Sequence, residues 1–119
     1  MKKDPFLNEL KENYIELSRQ IPAKSDTNLA IDTQLDLDKD LEEQIARLRD
    51  AVVFLKEART AGDGIATQAA LLHITSYAMG LSNFFSDIDV DAGMLLKTLQ
   101  WPAIPENYKI PEHYHFPHK

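Results

Sequence analysis

The stretch Gly64 to Ser86, GIATQAALLHITSYAMGLSNFFS, decides how this chain is read. It runs 23 residues without a Lys, Arg, Asp or Glu, in a protein of which charged residues make up 27%. Directly before it lies Leu37 to Arg59, where Leu37, Leu41, Ile45, Leu48, Val52 and Leu55 recur at helical spacing, widened on one flank by Val53 and Phe54. Glu42, Glu43, Arg47, Arg49, Asp50, Lys56 and Glu57 cover the other faces of that helix. Between the two segments, Gly62-Asp63-Gly64 supplies a glycine for a left-handed helix end and an aspartate to cap the next helix. So short a connection makes the helices antiparallel neighbours, and an uncharged second arm predicts burial on most of its sides.

The two sides of that arm differ. Ala66, Ala69, Ala70, His73, Ser76, Tyr77 and Gly80 form a small-residue side that lets another helix approach closely. Leu71, Leu72, Ile74, Ala78, Leu81, Phe85 and Ile88 form the side expected to face the core. A membrane span is not expected, because Thr67, Gln68, His73, Thr75, Ser76, Ser82, Asn83 and Ser86 interrupt the apolar run a bilayer demands.

Working outward, Asp4-Pro5 reads as an N-cap followed by proline at the first helical position, and Leu7, Leu10, Tyr14, Leu17 and Ile21 continue as one stripe until Pro22. The second helix starts among Asp36, Asp38 and Asp40, where Asp40 and Glu43 have capping-box spacing. The third is expected from Ile65 to about Asp87, and a short fourth from Ala92 to Gln100 presents Met94, Leu95, Leu96 and Leu99. The fold class is therefore all-α: a small bundle of three main helices plus a short fourth. Residues 1–100 form a single domain, and residues 101–119 form an extended tail that docks on the bundle or on a partner. In that tail Pro102, Pro105, Pro111 and Pro117 preclude a helix, while Trp101, Ile104, Tyr108, Ile110, Tyr114 and Phe116 supply apolar area. The connection 22–36, with Leu29, Ile31 and Leu35, is long for a compact domain and is expected to dock or to act.

Charge is concentrated. Seven acids between Asp26 and Glu43 stand against Lys39 alone, so the formal net charge of −6 resides in one loop and one helix start. Acids near a helix N-terminus are favoured by its dipole, and this accounts for many of them. Their density also makes Asp36, Asp38, Asp40, Glu42 and Glu43 a candidate docking patch for a protein partner with a basic surface. Nucleic acid is not expected, since Arg47, Arg49, Lys56 and Arg59 are interleaved with acids.

Chemistry-bearing motifs are few. Asp87, Asp89 and Asp91 alternate as in a calcium loop, but Gly93 falls at the seventh position and Thr98 at the twelfth. These aspartates, like Asp36, Asp38 and Asp40, are expected to cap the helix that follows. His73 is the one histidine in the helical region. An acidic helical bundle of this size is similar in size and composition to histidine phosphotransfer domains. In that family a lysine and a glycine usually follow the phosphorylated histidine at three and four residues, whereas Ser76 and Tyr77 stand there in this chain. His113, His115 and His118 could share a transition metal, although no fourth ligand is identifiable and neither a metal nor a cofactor is expected.

With no cysteine there is no disulfide framework or thiol nucleophile, and the start of the chain has no apolar run of signal-peptide length; a cytoplasmic location is expected. The functional expectation is a non-enzymatic protein–protein interaction module, an adaptor, inhibitor or small subunit. It would use the acidic patch and the aromatic tail residues Trp101, Tyr108, Tyr114 and Phe116, with room for a homo-oligomer. Phosphotransfer through His73 and metal binding by the C-terminal histidines are the alternatives.

Overall fold

A seven-residue rhythm organises the molecule. In the computed structural model, which describes residues 4–22 and 28–117, α1 spans Phe6–Ser18, α2 Leu37–Thr60 and α3 Gly64–Thr98, with no strand among the described residues. On α2 the residues turned inward are Leu37, Leu41, Gln44, Leu48, Ala51, Leu55 and Ala58, and on α3 Ala70, Ile74, Tyr77, Leu81, Phe84, Ile88, Asp91 and Leu95. Both series step by three and four, the spacing that keeps one seam facing an antiparallel neighbour over many turns. The turn between them follows the sequence expectation. Gly62 takes φ +67° where a side chain would be strained, and the Asp63 carboxylate accepts from the Ala66 N–H at 3.0 Å.

The rest of the chain gathers at the far end of this hairpin. Buried Leu7 and Tyr14 of α1, Ile31 of the connection, Leu37 of α2 and Leu95 of α3 form one cluster. Leu10, Leu17, Ile21, Leu29, Leu41, Phe84, Ile88, Ala92, Met94 and Leu99 pack against it. This closed base is a three-helix bundle; above it the arm consists of two helices alone. The molecule is correspondingly long, 60 × 39 × 32 Å, with a radius of gyration of 19.9 Å. A compact domain of this length would measure about 13–14 Å.

Four expectations need correction. There is no separate fourth helix. Residues 92–98 are the last turns of α3, because the three-and-four rhythm runs unbroken through Phe84, Ile88, Asp91 and Leu95, and burial of that seam outweighs the modest helix propensity of the aspartates. The other helical piece is a single 3-10 turn, Glu112–Tyr114, within the tail. Asp87, Asp89 and Asp91 therefore lie inside α3 and cap no following helix. Asp4 does not cap α1, whose N-cap position is Pro5 without a side-chain bond. The fourth correction concerns the uncharged arm, which is not covered on most sides. The seam with α2 takes residues from both expected sides, Ala70 and Tyr77 from the small-residue side and Ile74, Leu81 and Ile88 from the core side, while His73 and Ser76 of the first and Leu71, Leu72, Ala78 and Phe85 of the second are exposed. α1 has only 13 residues and packs at the base, and these arm side chains keep much of their surface exposed.

Candidate functional site

The acidic cluster serves the architecture of the base. Asp36 is the N-cap of α2, accepting from the Lys39 N–H at 3.1 Å, and it also accepts from the Asn8 side-chain amide at 2.7 Å. Those two bonds, Asn8 first, hold its carboxyl below the ordinary value of 3.8. Asp38 accepts from the backbone N–H groups of Leu7 and Asn8 at 3.1 and 2.8 Å, supplying the α1 cap that Pro5 cannot. The Leu37 N–H in turn donates to the Asn8 side-chain carbonyl at 2.9 Å. Two helix N-termini are thus latched together by reciprocal caps, each satisfying donors that neither helix could satisfy from within. Asp40 accepts from the Gln44 amide at 2.9 Å, while Glu42 and Glu43 lie on the exposed face of α2. Asp36, Asp38 and Glu42 share with Phe6, Ile45 and Arg49 the wall of an open groove of about 790 Å³. Asp26, counted with these acids, lies outside the described residues.

Asp91 is the residue whose role the sequence did not disclose. It is 1% exposed, and its two carboxylate oxygens accept from the Ala30 and Ile31 N–H groups at 2.6 and 2.9 Å. A buried carboxylate is tolerable when both oxygens receive backbone donors, and here those bonds dock the connection whose Ile31 enters the core. Tyr14 lies close by, its hydroxyl donating to the Ile88 carbonyl at 3.0 Å. Burial, and then the charges of Asp91 and Asp89, push its pKa above the ordinary 10.0.

The aromatic tail lies open. Trp101, Tyr108, Tyr114 and Phe116 are all about half exposed or more, and the Trp101 indole N–H donates to the Leu95 carbonyl at 3.1 Å. His73 is exposed on the arm, its ring stacked 5.7 Å from that of Tyr77, beside a shallow recess lined by Arg47, Asp50 and Phe54. Among the described residues no group of three or more His, Cys, Asp or Glu could hold a metal ion, and His118 lies outside them. No helix among the described residues is long and apolar enough to cross a membrane.

The largest feature was legible only as a side observation. Beyond the α2–α3 seam, Ile45 and Val52 on α2 and Leu71, Ala78 and Phe85 on α3 repeat at seven-residue intervals on the same flank of the hairpin. The exposure of the four large ones runs from 39% at Ile45 to 52% at Leu71, and Ala78 is exposed as well. Leu72 and Met79, 69% and 63% exposed, occupy the back of α3. A helix with one apolar stripe needs one neighbour; these helices carry a second stripe that stays exposed among the described residues. No family model matches the chain, and no curated protein or solved structure matches it either.

Proposed function

We propose that this chain is a non-enzymatic protein interaction module, a small subunit or adaptor whose bare helical arm and open aromatic tail are completed by protein partners. The observation that carries the reading is the arm: a 23-residue stretch free of charge, half of whose circumference has no cover, in a chain that closes a proper core elsewhere. Exposed apolar surface of that extent on a soluble chain is stabilised by removal from water, at roughly 25 cal/mol per Å². The acids at 36–43 contribute a field of one sign beside the groove at the base, which favours an approaching basic surface even while Asp36 and Asp38 also cap helices. Recovery of the tagged chain at native expression tests this. An assembly heavier than 13.5 kDa that is lost when Val52 and Leu71 are both changed to Glu, with helix content unchanged, supports it. A chain recovered only as free monomer overturns it.

A second reading, phosphotransfer through His73, is favoured by one observation: the imidazole is exposed and lies beside Arg47, a cation able to meet a phosphoryl group. Incubation with a phosphorylated receiver domain should then label the chain and spare the His73→Gln variant; equal or absent labelling of both removes it.

A further inference from the structure

The flank formed by Ile45, Val52, Leu71, Ala78 and Phe85 has properties that specify its occupant. We propose that it is covered by a second copy of this chain, laid antiparallel so that two hairpins close into a four-helix bundle. This rests on the interaction-module reading and names the partner for the arm. Ala70 and Tyr77 of the small-residue side are turned toward α2, whereas the large apolar residues of this flank are exposed, so the contact belongs here.

Three observations carry the proposal. The first is self-complementarity. In the antiparallel hairpin, Gln44 comes level with Gly80, the closest approach to that glycine. The stripe then reads along the arm as Leu71, Val52, Ala78, Ile45, Phe85, with large residues at both ends and the smallest in the middle. A two-fold axis near Ala78 brings Leu71 of one copy toward Phe85 of the other and lets the backbones approach at the alanine, as an isologous contact requires. The second is charge. The arm half of α2 carries Arg47, Arg49, Lys56 and Arg59 against Asp50 and Glu57, an excess of base, whereas the base end carries Asp36, Asp38, Asp87 and Asp89. Parallel hairpins would set acid on acid. Antiparallel hairpins set the basic half of one copy against the acidic end of the other, and no charged residue of Gly64 to Ser86 has to be desolvated between them. The third is area. The four large side chains of the flank, Ile45, Val52, Leu71 and Phe85, each with on the order of 100 Å² still accessible, supply roughly half of the ~800 Å² per partner that a standard specific interface buries, the share such interfaces draw from apolar groups.

Two hairpins joined this way bury both stripes of both helices, the arrangement of a four-helix bundle with short loops.

Sedimentation of the purified full-length chain across micromolar concentrations tests the occupant. The expected mass is twice 13.5 kDa. Changing Val52 and Leu71 to Glu together should raise the dimer dissociation constant by about a hundredfold or more, each tenfold corresponding to about 1.4 kcal/mol. Leu72→Glu, a comparable charge on the back of α3, should leave the dimer intact, which separates loss of the contact from loss of the fold. Direction is read from spin labels on Ala61→Cys, usable because the chain has no cysteine. With about 1.5 Å of rise per residue, antiparallel hairpins about an axis near Ala78 place the two tips on the order of 50 Å apart and parallel ones within about 20 Å. Short label distances, or equal sensitivity to Leu72→Glu, overturn the arrangement. A strict monomer that is nevertheless recovered from cells bound to another protein through Val52 and Leu71 overturns the second copy and leaves the module reading standing. A monomer in both settings overturns both.

Discussion

The base and the arm of this molecule are built from the same two helices, yet they obey different rules. At the base, Leu7, Tyr14, Ile31, Leu37 and Leu95 come from four separate segments and bury one another, with the polar groups that closure traps bonded in pairs: Asn8 with Asp36 and Asp38, Asp91 with the Ala30 and Ile31 amides. In the arm, the buried residues are Ala51, Ala58 and Ala70, the smallest side chains available, and Leu71, Leu72, Met79 and Phe85 stay in water. A third helix makes the difference. Where α1 is present the apolar stripes are used up; where it ends, the helices keep the same rhythm and lose their cover. Apolar residues on a helix report that something must cover them, without reporting what.

The comparison breaks most sharply at Leu95. It is 3% exposed in the base cluster, so Leu95→Ala should cost about 2–5 kcal/mol in denaturant unfolding, through lost burial and the cavity left behind. Leu72→Ala, on a 69% exposed arm position, should stay within about 0.5 kcal/mol. Similar costs at both sites would mean that the arm is as closed as the base. Next in size is Asp91→Ala, which strands the Ala30 and Ile31 N–H groups and should cost about 1–3 kcal/mol. Amide exchange locates the damage: protection at Ala30 and Ile31 should fall far more than anywhere in the arm, and unchanged protection would show that the connection docks by its side chains alone.

Tyr14→Phe should cost less, about 0.5–1.5 kcal/mol at neutral pH, for one hydrogen bond to the Ile88 carbonyl. It carries a pH signature as well. The native fold raises the Tyr14 pKa above the ordinary 10.0, so the phenol is held protonated more firmly in the folded than in the unfolded chain. The stability this provides is complete below pH 10 and is lost as pH rises past it toward the folded value. Alkaline unfolding curves of native and Tyr14→Phe protein should therefore converge above that point; parallel curves would refute the assignment.

How much of this was readable in the residues follows from which interactions are local. The hairpin turn was legible because Gly62 and Asp63 act within four residues of themselves. The α1 stripe was legible for the same reason, since Leu7, Leu10, Tyr14 and Leu17 share one helix face. Asp36 caps α2 as its position implied, but Asp38 and Asp91 were misassigned because their bonds cross between segments: Asp38 reaches α1 from 30 residues away, and Asp91 reaches the connection from 60. Alternating aspartates look alike whether they end a helix or sit inside one, and the buried partner decides. The uncovered arm was misread for a related reason. Absence of charge suits a residue buried in its own chain and one that packs against another alike, so the composition of Gly64 to Ser86 does not distinguish them.

The finest distinction between base and arm lies in their helical glycines. Gly93, near the base end of α3, has open space where a Cβ would stand, so Gly93→Ala should stabilise the fold by roughly 0.5–1 kcal/mol through the reduced freedom of the unfolded chain. Gly80, in the lower arm, has the Gln44 side-chain oxygen 3.2 Å from that position. Gln44 is itself tied to Asp40 at 2.9 Å, so it yields only by giving up or stretching that bond. Gly80→Ala should therefore recover less of the same gain, leaving its unfolding midpoint between those of the native chain and Gly93→Ala. A Gly80→Ala variant as stable as Gly93→Ala would show that α2 and α3 breathe freely at this level, and that the arm's inner seam is looser than its three-and-four spacing requires.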